Sequence, residues 1–298
     1  MRRKPVLLSV TILCIFFLTT AGNAQDSYKK FNLKFSGGYG NTAQGDLDEV
    51  LDGLNSQLAD LAAMVGLANP DDVENVNWGL DFEGEFIFSL SKKFGVGLGV
   101  GYMERKIDSS VEFGLEPLIS GSFSWEPKYT AVPINLSGYY YLPINSKMSA
   151  YLKAGIGYYF AKITYKIQQE FKVLGYPNDW EQNEGEAKDN GFGFHGGLGF
   201  EYKMTESISL YAEGMGRYVN FKNWDVDNTW TDLSGYTLRQ SGTFWYVEEY
   251  VEDTGKYYPS LELSEQKPSN QGLRNVRKAE IDFSGFSFRI GVKIGLGK

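Results

Sequence analysis

The ionisable side chains that could do chemistry in this chain recur at every second position of alternating segments. Twelve residues share this placement: Lys34, Asp81, Glu83, Glu85, Arg105, Lys153, His195, Glu201, Glu213, Arg217, Arg289 and Lys293. If all of them point into one interior, they could form an ion pathway or a proton site. They could also form a network of ion pairs, since buried charges persist only when they are paired. Five acids stand against six bases and one histidine, and this near balance favours the paired network.

His195 is the only histidine of the chain and the residue best suited to general acid–base chemistry. Catalysis would also require a nucleophile and a group that orients the imidazole. The surrounding segment, Gly193 to Gly197, offers no Ser or Asp at triad-like spacing. A histidine paired within the interior is therefore the favoured interpretation, and catalysis the weaker alternative.

Glycines at 95, 97, 99 and 101 contain the pattern GxGxG, which is found in phosphate-binding loops. Such a loop needs a strand before it and a helix after it, and neither neighbour fits here. The pattern instead favours small residues that leave room for bulky ones across the interior: Tyr139, Tyr141, Tyr151 and Tyr159.

Eight segments must position these side chains, and each alternates between apolar and polar or small residues. Such alternation is typical of β-strands whose two faces differ. In the clearest segment, Leu80 and Phe82 lie on one face while Asp81 and Glu83 lie on the other. The eight predicted strands are residues 31–39, 78–90, 94–103, 130–142, 152–160, 192–202, 208–218 and 286–296.

The connections between the predicted strands alternate strictly between short and long. Short turns lie near 91–93, 143–147 and 204–206, whereas the long polar connections are 40–77, 104–128, 166–190 and 221–279. This pattern predicts an up-and-down barrel that crosses a membrane, with short periplasmic turns at one end and long external loops at the other. A soluble sandwich has no reason to sort its loops in this way. An even strand number places both termini at the short-turn end.

Residues 1–24 are predicted to be a signal peptide. They combine a basic head at 2–4, an apolar stretch at 6–18 and small residues at the end of the segment. The mature domain is then residues 25–298, with no linker that separates two cores. The only cysteine, Cys14, lies in the predicted signal, so neither a disulfide nor a thiolate metal site is expected in the mature chain.

Composition narrows the class of partner. Without the three bases of the predicted signal, 26 of the 29 Lys and Arg residues remain against 37 acids, which gives a net charge of −11. So acidic a chain argues against nucleic acid and against an anionic lipid surface as partners.

The signal, the eight alternating strands, the loop asymmetry and the aromatic strand ends together resemble the small eight-stranded outer-membrane barrels. That family includes the transmembrane domain of outer-membrane protein A, outer-membrane protein X and the opacity proteins. The resemblance covers the whole mature chain. It implies an all-β, eight-stranded antiparallel up-and-down transmembrane barrel in the cell outer membrane, in contact with lipid and lipopolysaccharide. The chain departs from the family by ending in Lys298 instead of an aromatic residue.

Two long connections carry patterns of their own. In the first, Leu47, Leu51, Leu54 and Leu58 recur at helical spacing among acids, which predicts an acidic amphipathic helix. The last is rich in aromatic residues, which form rigid recognition surfaces. Its stretch 243–251 alternates, which favours a hairpin above the membrane. The residues proposed for contact with an extracellular protein or surface ligand are Trp224, Trp230, Trp245 and Tyr246.

The sequence therefore predicts a non-enzymatic outer-membrane barrel with a structural or surface-interaction role, whose interior is plugged by paired charges. No cofactor and no metal site are expected. Three alternatives stay open: a small-molecule channel, a soluble lipocalin-like carrier, and a lipid A-modifying enzyme. The last is kept because two enzymes of the resembled architecture, a palmitoyl transferase and a lipid A deacylase, use His with Ser or other polar partners. A soluble carrier would place the carboxylates of Asp81, Glu83 and Glu85 on its outer face, in water.

Overall fold

The structure is a computed structural model that describes residues 29–64, 66, 70–74, 77–115 and 119–296. The predicted signal peptide at 1–24 lies outside these described residues. In chain order the elements are β1 (Phe31–Asn41), α1 (Asp46–Met64), β2 (Trp78–Ser89), β3 (Phe94–Lys106), β4 (Ser109–Leu115), β5 (Ile119–Pro143), β6 (Met148–Val173), β7 (Asp179–Lys203), β8 (Ile208–Tyr218), β9 (Asn220–Phe221), β10 (Asp225–Asp232), β11 (Thr237–Val251), β12 (Lys256–Ser264), β13 (Leu273–Lys278), β14 (Ile281–Asp282) and β15 (Gly285–Leu296). Among the described residues, no helix is both long enough and apolar enough to cross a membrane.

All eight predicted strands are present, as β1, β2, β3, β5, β6, β7, β8 and β15. Each pairs antiparallel with its neighbours in that order, β15 pairs with both β8 and β1, and β7 also pairs with β8. The order of paired strands is β1, β2, β3, β5, β6, β7, β8 and β15, and β15 pairs in turn with β1. The chain is therefore an antiparallel all-β protein, as predicted.

The two faces of these strands differ sharply in exposure. In β2, Asp81, Glu83 and Glu85 are buried, whereas Leu80 and Phe82 are 49% and 47% exposed. We call the buried side the inner face and the exposed, apolar side the outer face. This distribution is opposite to that of a soluble carrier, which would keep the carboxylates in water.

Three of the predicted long loops, 104–128, 166–190 and 221–279, are largely strand, so the prediction of loops there is wrong except for the hairpin expected around 243–251. β5, β6 and β7 contain 25, 26 and 25 residues, and β6 pairs with β7 from Met148 and Tyr202 up to Phe171 and Asp179. β4 adds to β5, and β10 to β13 extend the sheet beside β7. Near the far ends of β6 and β7 both faces carry polar residues, such as the hydrogen-bonded pair Gln168 and Gln182, so apolar alternation is lost in that part of the sequence.

The hairpin predicted around 243–251 is confirmed, because β11 pairs with β12 from Thr243 and Ser264 to Val251 and Lys256. The amphipathic helix predicted in the first long connection is confirmed as α1. Its buried face includes Leu47, Leu51 and Ala62, and it packs on β12.

Carboxylates fix α1 to the strands beside it. Asp46 pairs with Arg277, whose Nη2 lies 2.7 Å from Oδ1, and it also accepts a hydrogen bond from the backbone N–H of Glu280. Near the other end, Asp60 accepts hydrogen bonds from Lys256 Nζ at 2.7 Å and from the Tyr258 hydroxyl at 2.6 Å. The helix is thus tied at both ends to the strands of the last long connection.

The attachment of α1 is expected to weaken in acid. The hydrogen bonds from Lys256 and Tyr258 lower the pKa of the Asp60 carboxyl below its ordinary value of 3.8. A lowered carboxyl pKa stabilises the folded state above the unfolded pKa, about 3.9, and this contribution is lost as pH falls through the folded pKa. Hydrogen exchange of residues 46–64 at pH 7 and pH 3 should show lower protection factors in acid. Asp60→Asn should reduce that pH dependence, and equal protection in wild type at both pH values would contradict the assignment.

Candidate functional site

The inner face brings together all twelve ionisable residues that the sequence singled out. Eleven of them form ion pairs, and the twelfth, His195, shares a hydrogen bond with Ser137. Several pairs join strands that are not neighbours, because Lys34 lies on β1 and its partner Glu213 on β8, with β15 between them. The side chains therefore cross the interior instead of running along one strand.

The first cluster lies nearest the long connections and surrounds Asp81, which is fully buried. Its carboxylate oxygens lie 2.9 Å from Arg105 Nη2, 3.3 Å from Arg217 Nη1 and 3.9 Å from Arg289 Nη2. Arg217 also donates from Nε to the backbone carbonyl of Phe283 at 3.0 Å. One carboxylate thus joins three guanidinium groups from β3, β8 and β15.

The next cluster centres on Glu83. Its carboxylate pairs with Lys153, accepts a hydrogen bond from Arg289 Nη1 at 2.9 Å, and accepts another from Asn135 Nδ2 at 3.1 Å. Lys153 reaches over from β6 to Glu85 as well, at 3.1 Å. Both carboxylates therefore have charged partners, which a buried acid requires.

Closer to the short turns, the cluster is a mixture of charges and tyrosines. Lys34 Nζ lies 2.5 Å from Glu213 Oε2 and 4.3 Å from the centre of the Tyr211 ring. The Tyr151 hydroxyl donates to the same Glu213 oxygen at 2.8 Å. Cation–π contacts of this kind add to the stabilisation of a buried ammonium.

Aromatic rings fill the interior between these charges and the short turns. Tyr139 and Tyr141 stack at 5.6 Å, and Tyr151 lies 5.6 Å from Tyr139. At Gly97 an added Cβ would lie 2.8 Å from Cδ of Glu85 and 3.1 Å from Cε2 of Tyr139, so this glycine leaves room for the Glu85 carboxylate first and then for the predicted tyrosine ring. The glycines make room for larger side chains, and no phosphate-binding loop is present there because β3 is followed by another strand.

At the opposite end, the interior meets a layer of apolar side chains that we call the external core. It includes Leu47, Met103, Tyr129, Val219, Phe221, Trp224, Ala279, Ile281 and Phe283. The Phe221 ring lies 5.6 Å from Trp224 and 5.2 Å from Phe283. Because Phe283 accepts the hydrogen bond from Arg217, the external core lies directly beside the first charged cluster.

His195 has a serine neighbour that the sequence did not reveal. Its Nε2 lies 3.0 Å from Ser137 Oγ, and both side chains are buried. Sequence spacing missed this pair because the two residues lie on different strands and meet only through the fold. Nδ1 of His195 has no hydrogen-bond partner among the described residues, so the orienting group of a catalytic triad is not part of this pair.

The aromatic residues proposed for partner contact do not all lie at the surface. Trp224 and Tyr246 are 1% and 3% exposed, so the prediction of a contact surface is wrong for these two. They are large apolar side chains whose burial stabilises the external strands. Trp230 and Trp245 are half-buried, and for them the contact stays a prediction. Within the described ranges, no group of acids and histidine could hold a metal ion.

The chain matches the family described as outer membrane protein beta-barrel domain, and the match covers residues 10–241. The chain belongs to this family. It is therefore a protein of the cell outer membrane, and the resemblance to small outer-membrane barrels is confirmed. No curated protein matches the chain.

Several solved structures are similar to this member of the outer membrane β-barrel family. The outer membrane protein OprG of Pseudomonas aeruginosa is 11% identical, with a TM-score of 0.40, over 93% of this chain and 100% of that one. A major outer membrane protein of Thermus thermophilus is 14% identical, with a TM-score of 0.39, over 88% and 98%. Ail of Yersinia pestis is 12% identical, with a TM-score of 0.29, over 89% and 98%. Because these identities and TM-scores are low, the assignment of the chain to the family rests on the family match.

Membership of the family explains the exposed outer face. Phe35, Leu98, Phe160, Phe192 and Ile290 are between 48% and 74% exposed, a cost in water that disappears where the face meets lipid. The charged inner face then lies away from the hydrocarbon, where charges are expensive.

Proposed function

We propose that the eight strands β1, β2, β3, β5, β6, β7, β8 and β15 form a closed up-and-down barrel with no open pore. The observation that carries this proposal is the set of ion pairs that cross the inner face. An eight-stranded interior is just wide enough for side chains to fill. A water-filled pore tends to present rings of one charge sign, whereas these acids and bases neutralise one another.

The barrel's role is then to present its external strands on the cell surface. β6 contains 26 residues, and at ~3.3 Å per residue it is about 85 Å long. A strand that crosses the apolar band needs only about 9–11 residues. More than half of β6 therefore extends beyond the membrane, together with its partners β5 and β7, as a tall sheet available for surface interaction.

A non-enzymatic role agrees with the surroundings of His195. The pair it forms with Ser137 is buried, and a substrate would have to displace either the external core or the tyrosine layer to reach it. Nucleophilic catalysis also requires a group that orients the base. The support for a structural and surface-interaction protein is therefore stronger than the support for a lipid A-modifying enzyme.

Protease treatment of intact cells tests the surface presentation. We expect cleavage within the long segments 40–77 and 221–279, because both would lie outside the cell. An epitope tag placed after Lys298 should be protected until the outer membrane is permeabilised, since an even strand number returns both termini to the periplasm. A tag that is stained on unpermeabilised cells would show that the barrel is inverted or that its strand number is odd.

A further inference from the structure

The short-turn end of the proposed barrel contains a cavity of about 210 Å³. Five lysines line it, namely Lys29, Lys92, Lys147, Lys203 and Lys293, against two glutamates. The lysines come from five separate parts of the chain, before β1, in two of the short turns, at the end of β7 and within β15. In a protein whose net charge is −8, this end of the molecule is locally positive.

Polar groups suited to oxygen-rich anions line the same cavity. Six serines and two asparagines contribute to its wall, and three of these residues, Asn32, Ser89 and Ser209, are buried. Asn32 Nδ2 donates to Ser89 Oγ at 3.1 Å, which holds the wall in place. Ammonium and hydroxyl groups are both hydrogen-bond donors, and charge-assisted bonds from ammonium groups are the stronger kind.

The cavity is blind, because the interior is filled immediately above it. Lys293 pairs with Glu201 at the cavity floor and lies 5.0 Å from the centre of the Tyr141 ring. Tyr141 stacks on Tyr139, and the ion-pair clusters follow. A ligand that enters from the short-turn end would therefore be held and not passed through the barrel.

We propose that this cavity binds a small oxyanion, a carboxylate or a phosphate group. Its volume is below the range of ~300–1,000 Å³ that is typical of sites for drug-sized ligands, so the bound group must be small. The inference rests on the proposed barrel topology, which makes the short-turn end periplasmic. The anion then comes either from a free periplasmic solute or from the carboxylates of the cell-wall polymer.

The test uses the full mature chain, folded in a neutral detergent, with the heat-dependent gel shift of each sample as proof of folding. Isothermal titration with inorganic phosphate and with succinate probes a free anion, and co-sedimentation with isolated cell-wall sacculi probes the polymer. We expect binding in at least one arm, weaker at high salt because exposed charges are screened. Binding of the small anions but not of the sacculi would identify a free solute as the ligand. Binding of the sacculi but not of the small anions would identify the polymer.

The double substitution Lys92→Gln and Lys147→Gln should weaken that binding at least tenfold. Both lysines are exposed turn residues at the rim, so their replacement should leave the gel shift intact. Lys106→Gln is the control, because Lys106 is also an exposed lysine and lies at the far end of β3. Absence of binding in every arm, or an equal loss in the control, would overturn the inference. A sample with no gel shift would instead contradict the proposed barrel.

Discussion

Replacement of Glu83 by alanine is expected to lower the free energy of unfolding by about 3–5 kcal/mol, the range for breaking a buried ion pair. Glu83 is 5% exposed, and its carboxylate is shared by Lys153, Arg289 and Asn135. The substitution removes one carboxylate partner from each of two buried bases, Lys153 and Arg289. The measurement is equilibrium unfolding by denaturant in detergent, monitored by the gel shift and by tryptophan fluorescence.

Glu186→Ala provides the matched control for Glu83→Ala. Glu186 also pairs with two bases, Lys162 and Lys188, but its side chain is 36% exposed. An exposed pair contributes about 0–1 kcal/mol, so this variant should unfold almost like the wild type. Equal, small losses in both variants would mean that water reaches the inner charges, and the ion-pair network would not close the barrel.

Trp224→Ala is expected to cost about 3–5 kcal/mol, as large-to-small substitutions in a core do. Trp224 is 1% exposed and packs between Phe221 and Phe283 in the external core. The loss should appear first in the external strands, as faster proteolysis within 221–279 in folded protein. Trp230→Ala is the control, since Trp230 is half-buried, and it should change stability far less. If Trp230→Ala were the more damaging variant, the assignment of Trp224 to a core would be wrong.

The membrane-facing part of the fold could be predicted because its two faces have opposite polarity. In β2 the carboxylates of Asp81, Glu83 and Glu85 alternate with Leu80 and Phe82, and lipid on one side and a polar interior on the other preserve that contrast along the strands. The twelve inner residues follow directly from this period of two. Which acid meets which base could not be predicted, since the pairs cross the interior between strands distant in sequence.

Apart from the hairpin around 243–251, the external strands escaped prediction because water is the solvent on most of their surface. Strand pairs such as Gln168 with Gln182 and Gln169 with Glu181 carry no hydrophobic period, so the upper halves of β6 and β7 looked like loops. The Ser137–His195 pair escaped prediction for a different reason, because its members lie 58 positions apart on different strands and meet only through the fold. The burial of Trp224 could not be predicted because aromatic content alone does not distinguish a core from a recognition site.

Conductance in planar lipid bilayers tests most directly whether paired charges close the interior of the barrel. The purified, folded protein is added to the bilayer at neutral pH, and single-channel currents are recorded against a porin as the positive control. The ion pairs around Asp81, Glu83 and Glu213 and the tyrosines below them predict small currents or none, and no diffusion of sugars. Large, stable, porin-sized channels would contradict a closed interior.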